Sequence, residues 1–101
     1  MSEENGKENV PPNTVFIGIK PITGYAMSAM TLFQTNNEVV LKARGRAISH
    51  AVDVAEVLRN RFLSGKCEIA SIKTATESVV TREGRKSNIS AIEIVLRKIG
   101  S

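Results

Sequence analysis

A chain of 101 residues, 42% apolar and without tryptophan, can bury roughly two-thirds of its unfolded surface, enough for one domain with a modest aliphatic core. No run approaches the roughly 20 apolar residues of a membrane helix, and the polar, acidic N-terminus has no apolar signal core, which predicts an intracellular protein. The lone Cys67 excludes an intramolecular disulfide and a cysteine metal quartet.

Charge is spread unevenly. The net charge is +4, from 14 Lys and Arg against 10 Asp and Glu. The first ten residues hold Glu3, Glu4 and Glu8 against Lys7, so the excess of cations lies in the body. A basic body predicts a polyanionic partner.

Residues 1–13, "MSEENGKENVPPN", are polar and closed by two prolines. They bury too little apolar surface to offset ordering entropy and are expected to be a disordered tail, with 14–101 as a single domain. "TVFIGIK" predicts a buried first strand, ended by Pro21 at the start of a helix. In that helix Ile22, Tyr25, Ala26, Ala29, Met30 and Phe33 fall on one face, and Asn36-Asn37 stop it. "EVVLKA" is a second strand, with Val39 and Leu41 on one face and Val40 and Lys42 on the other.

A second helix begins after Gly45. Ala47, Ile48, Ala51, Val54, Ala55, Leu58 and Phe62 form its apolar stripe, and Gly65 lies just past its end. "CEIASIKTATESVV" predicts a long strand. Cys67 and Ile69 share parity but Ile72 does not, which requires a bulge near Ala70-Ser71. "TREGRK" supplies a glycine turn, and "SNISAIEIVLRK" returns with Ile92, Ile94 and Leu96 on one face. The order is β-α-β-α-β-β.

Catalytic chemistry finds little support. His50, the only histidine, has no nucleophile or carboxylate at an i,i+4 position, which suits a surface or capping role. Asp53 and Glu56 read as solvated helix acids, Glu56 within reach of Arg59 or Asn60. "GIKPITG" lacks the spacing of a phosphate loop. A nuclease would need clustered carboxylates or a positioned base, and neither is evident. No catalytic residue, metal or cofactor is assigned, and no small-molecule substrate or membrane partner is expected.

The basic constellation says more. Lys42, Arg44 and Arg46 alternate across "KARGRAIS", and in an extended segment such residues point one way. Placed beside a helix N-terminus they would form an anion site, with Gly45 letting backbone approach a phosphate. Arg82, Arg85 and Lys86 surround Gly84 at the hairpin tip, and Lys20 ends the first strand. Cations on a β-arm suit a nucleic-acid groove or backbone. A solvated charged loop is the plain alternative.

"IGIKP" (17–21), "VLKARGRAIS" (40–49), "AVDVAEVLRNRF" (51–62) and "ISAIEIVLRK" (89–98) together resemble the Alba family of archaeal chromatin and RNA-binding proteins. The resemblance spans about residues 13–99. It implies an α+β two-layer fold, similar to the C-terminal domain of a bacterial translation initiation factor, with a long hairpin arm. It also implies a homodimer, or a mixed dimer with a paralogue, that binds double-stranded DNA without sequence preference and organises the chromosome. RNA binding is the alternative.

By the same resemblance, nucleic-acid contacts fall on Asn13, Lys20, Lys42, Arg44, Arg46, Arg82, Arg85 and Lys86, and a dimer–dimer contact on Asn60, Arg61 and Phe62. From its own pattern, Phe62 could equally cap the protomer's core. Two departures stand out. Ile19 replaces a lysine common before the proline, which removes one phosphate contact and any acetylation switch there, and His50 stands where a lysine is common. The implied location is cytoplasmic, on the chromosome.

Overall fold

A computed structural model describes residues 12–100. The element order is β1 (Thr14–Phe16), α1 (Ile22–Phe33), β2 (Glu38–Arg44), α2 (Ile48–Val57), β3 (Cys67–Val80) and β4 (Lys86–Lys98). One mixed sheet has the order β1-β2-β4-β3. β1 runs parallel to β2, and β4 lies antiparallel to both β2 and β3. The β-α-β-α-β-β order and α+β class follow the sequence pattern.

Alternation builds the core. Val39, Leu41 and Ala43 of β2 oppose Leu96, Ile94 and Ile92 of β4, and this apolar face receives α1 and α2. The stripes of both helices meet it: Ala26, Ala29 and Phe33 from α1, and Ala51, Val54 and Ala55 from α2. Leu41, Leu58, Ile94, Leu96, Val39 and Val54 are the largest fully buried side chains. Each such aliphatic contributes about 1.5–3 kcal/mol relative to exposure.

β3 carries the expected bulge. Ile69 opposes Leu96 and Ser71 opposes Val95, so Ala70 is the extra residue. It returns Ile72 to the parity of Ile69, opposite Ile94. Cys67 is buried, as its strand pattern predicts.

Three local expectations are corrected. β1 ends at Phe16, although the Ile17 N–H still donates to the Lys42 carbonyl; the chain bends at Ile19-Lys20 rather than continuing as a strand to Lys20. Phe16 is not buried, because its side chain alternates away from Val15 and Ile17 onto the face that no helix covers. After β2 a short 3₁₀ turn, Gly45–Ala47, precedes α2, and a wide π turn, Leu58–Phe62, follows it, with the Leu63 N–H reaching back to the Leu58 carbonyl.

The hairpin is long because β2 is short. β2 pairs with β4 only as far as Arg44 opposite Ala91. β3 and β4 continue to Val80 opposite Lys86. Residues 76–90 thus form a two-stranded arm, projecting roughly 17 Å at 3.3 Å per residue. Its tip is closed by the Gly84 N–H on the Thr81 carbonyl and the Thr81 N–H on the Arg85 carbonyl. Of the disordered tail expected over residues 1–13, residues 1–11 lie outside the described residues.

Candidate nucleic-acid interface

Because β1 and β2 are parallel neighbours, the turns that follow them lie at the same end of the sheet. The arm leaves the body at that end too, beyond the Arg44–Ala91 pair. The topology therefore places Lys20 and the Lys42–Arg46 segment at one end of the sheet, with the arm cations Arg82, Arg85 and Lys86 roughly 17 Å further out on the same side.

The turn after β1 is held from within. The Lys20 N–H donates to the Tyr25 hydroxyl at 3.2 Å. Gly18 lies against the same hydroxyl, where an added Cβ would sit 2.9 Å from the oxygen. Tyr25 is more than the core residue its spacing suggests: its ring packs on the core and its tip supports the turn.

The turn after β2 departs from simple alternation. Gly45 has φ of +59°, and a Cβ there would meet the Ile89 side chain at 2.8 Å. Only glycine fits this turn against the arm root without strain. The turn ends the extended segment, so Lys42 and Arg44 share a face while Arg46 sits on the 3₁₀ turn. The expected alignment of all three cations is corrected to two plus one.

Lys42 and Arg44 are not bare. Lys42 Nζ lies 3.8 Å from Glu93 Oε1, and Arg44 Nη1 donates to Glu77 Oε1 at 3.1 Å. Among the described residues, Lys20, Arg46, Arg82, Arg85 and Lys86 form no ion pair. These five side chains are all exposed.

Phe16, 59% exposed, borders a trough of about 660 Å³ on the open face of the sheet. Lys42, Arg44, Lys73, Ala75 and Ala91 also line it. Its floor is shallow because Ala91 opposes Ala75. The sequence reading missed Phe16, Glu77 and Glu93. Counting back from the Gly84 turn would have paired Lys73 with Glu93, whereas the β2–β4 register that brings in Arg44 has no local signal.

Two groups of expected residues lie elsewhere. Asn13 sits at the opposite end of β1 from Lys20, half-buried, with its side-chain amide donating to the Glu38 carbonyl at 2.9 Å. Its own carbonyl accepts from Val40 N–H. Asn60, Arg61 and Phe62 are exposed at the far end of α2, about 22 Å from Gly45 at the helical rise. There Glu56 accepts from both Arg59, at 2.7 Å, and Asn60, at 3.0 Å. The Arg59 hydrogen bond is the main reason that the Glu56 carboxyl titrates below its ordinary range.

Known proteins share this fold. The family model of Alba matches residues 13–78. The structure of Alba from Thermoplasma volcanium is similar, with 40% identity, 84% of this chain and 99% of that chain covered, and a TM-score of 0.78. ALBA1 from Trypanosoma brucei shares the fold, with 24% identity, 88% of this chain and 72% of that one covered, and a TM-score of 0.66.

Proposed function

The chain belongs to the Alba family of nucleic-acid-binding chromatin proteins, and we propose that it binds double-stranded DNA without sequence preference and organises the chromosome. The observation that carries this reading is the shared end of the sheet, where two basic turns and a cationic arm converge. Cations there reach phosphates, which carry no sequence information. The opposed repulsion of so many like charges is relieved when condensed counterions leave the duplex.

The arm is a lone two-stranded ribbon, marginal by itself in water. It settles along a groove or backbone when its arginines find phosphates. The protein acts as a two-fold dimer, giving two arms per unit. The open sheet face supports this: Phe16 and Ala75 are exposed there and leave apolar surface for a second copy to cover. Asn60, Arg61 and Phe62, exposed at the far end, are placed for contacts between neighbouring dimers. In the cell the protein resides in the cytoplasm on the chromosome.

A salt titration tests the reading. If a dimer neutralises about 6–10 phosphates, affinity for duplex DNA falls roughly 10³–10⁵-fold between 50 and 200 mM salt. Unrelated duplexes of equal length bind alike. A salt-insensitive affinity, or one confined to a single sequence, would sink it. A duplex RNA of the same length, run in competition, decides between DNA and RNA as the preferred ligand.

A further inference from the structure

Arg44 reaches across β4 to the root of the arm. It opposes Ala91 on β4, and Ala91 opposes Ala75 on β3. Glu77 is the next residue of the same parity along β3. The strand carrying it is two positions away in the sheet, about 10 Å at the usual strand spacing. Arginine and glutamate together can span that gap only over a low surface. The two alanines provide it, and the guanidinium meets the carboxylate at 3.1 Å.

The pair therefore links two parts of the interface, the basic turn and the arm. No other carboxylate among the described residues pairs with Arg44. Both side chains remain accessible, at 60% for Arg44 and 49% for Glu77. An ion pair so exposed is weak and exchangeable rather than a lock.

We propose that Glu77 competes internally with phosphate for the Arg44 guanidinium, and so sets the affinity and salt dependence of this interface. The proposal rests on the nucleic-acid reading above. In the free protein the carboxylate occupies the guanidinium. When a phosphate takes Arg44, Glu77 is left without its partner beside a polyanion and must recruit a cation from solution. That uptake offsets part of the counterion release that drives binding. Glu93, 3.8 Å from Lys42, repeats the arrangement more loosely between directly paired positions of β2 and β4.

The test is a double-mutant cycle on duplex DNA with a salt series. Glu77→Gln is expected to tighten binding roughly two- to fivefold per protomer at low salt, the range of exposed ion pairs. It also steepens the salt slope, by up to about one unit per protomer. In an Arg44→Ala background both effects shrink towards none. Asp53→Asn removes the same unit of charge from α2, where Asp53 has no ion pair among the described residues; it calibrates the bulk-charge effect. A gain no larger than that of Asp53→Asn, or one that survives Arg44→Ala, overturns the proposal.

A measurement without ligand completes the test. The Arg44 Nε resonance of the free protein should move on Glu77→Gln and not on Asp53→Asn. No movement also overturns the competitor role. Failure of every variant to bind DNA, with the resonance shift present, would instead reject the nucleic-acid reading and leave the ion pair standing.

Discussion

The Tyr25 hydroxyl accepts the Lys20 N–H at 3.2 Å and sits where a methyl on Gly18 would fall, 2.9 Å away. One oxygen thus fixes both the path of the turn after β1 and the direction in which Lys20 leaves it. Tyr25→Phe keeps the ring on the core and removes the acceptor. Its stability cost should be about 0.5–1.5 kcal/mol, the net worth of one hydrogen bond, with weaker DNA binding from a looser Lys20. Gly18→Ala should cost more, because the methyl displaces the hydroxyl. Combined with Tyr25→Phe, Gly18→Ala should recover part of that loss. Thermal melts of the three variants check the expectation; a double variant that melts lower than the sum of the singles would contradict it.

Arg46 and Arg44 should not be equivalent. Arg44 gives up Glu77 before it can serve a phosphate, whereas Arg46 has no ion-pair partner among the described residues. Arg46→Ala is therefore expected to lose more DNA affinity than Arg44→Ala, and for all sequences alike. Neither change should move stability by more than about 0.5 kcal/mol, since both side chains are exposed. Binding isotherms beside melts would show it, and an equal or reversed ranking would count against the difference in pairing.

The sequence made local features legible and non-local ones obscure. The stripe from Ala47 to Leu58 follows from the 3.6-residue period, and the bulge at Ala70 follows from a break in parity between Ile69 and Ile72. The arm tip is legible because Gly84 sits in a short polar turn between two strand patterns. Phe16 misled because an aromatic in a short apolar run suits either face of a strand, and only the position of the helices decides which face is covered. Glu77 and Glu93 were invisible as counter-ions because the β2–β4 register joins residues about fifty apart in sequence. The cations were found by pattern, but what they touch depends on tertiary pairing.

Cys67 is 3% exposed, and burial pushes its thiol above the ordinary range, with the Arg59 charge opposing part of that shift. The native protein should react slowly with a thiol reagent and the denatured protein fast. The raised thiol also has a sign for stability. The folded state holds its proton to higher pH than the unfolded state does. Stability from this group is therefore present below about pH 8.5, the unfolded thiol's range, and declines as pH rises above it. Cys67→Ala should flatten that decline while introducing a small cavity. Rapid labelling of the native protein would show that the start of β3 opens readily.

Phe62 tests what the far end of the molecule is for. Its place at the end of the apolar stripe suits a cap on the protomer's own core, yet 39% of the residue is exposed. The wide turn Leu58–Phe62 accounts for this. With its backbone bonds reaching five residues back, the turn rotates Phe62 off the line of Val54 and Leu58, both fully buried. Truncating a fully buried phenylalanine costs roughly 3–5 kcal/mol. At this exposure Phe62→Ala should cost much less, leaving the melting temperature near that of the wild type. If neighbouring dimers meet through this ring, the same variant should bind short duplexes normally and lose cooperativity on long DNA, where each bound dimer otherwise presents a patch to the next. Binding curves on duplexes of increasing length, beside a melt, separate the roles. A variant that melts far below the wild type, without a separable loss of cooperativity, would return Phe62 to the core.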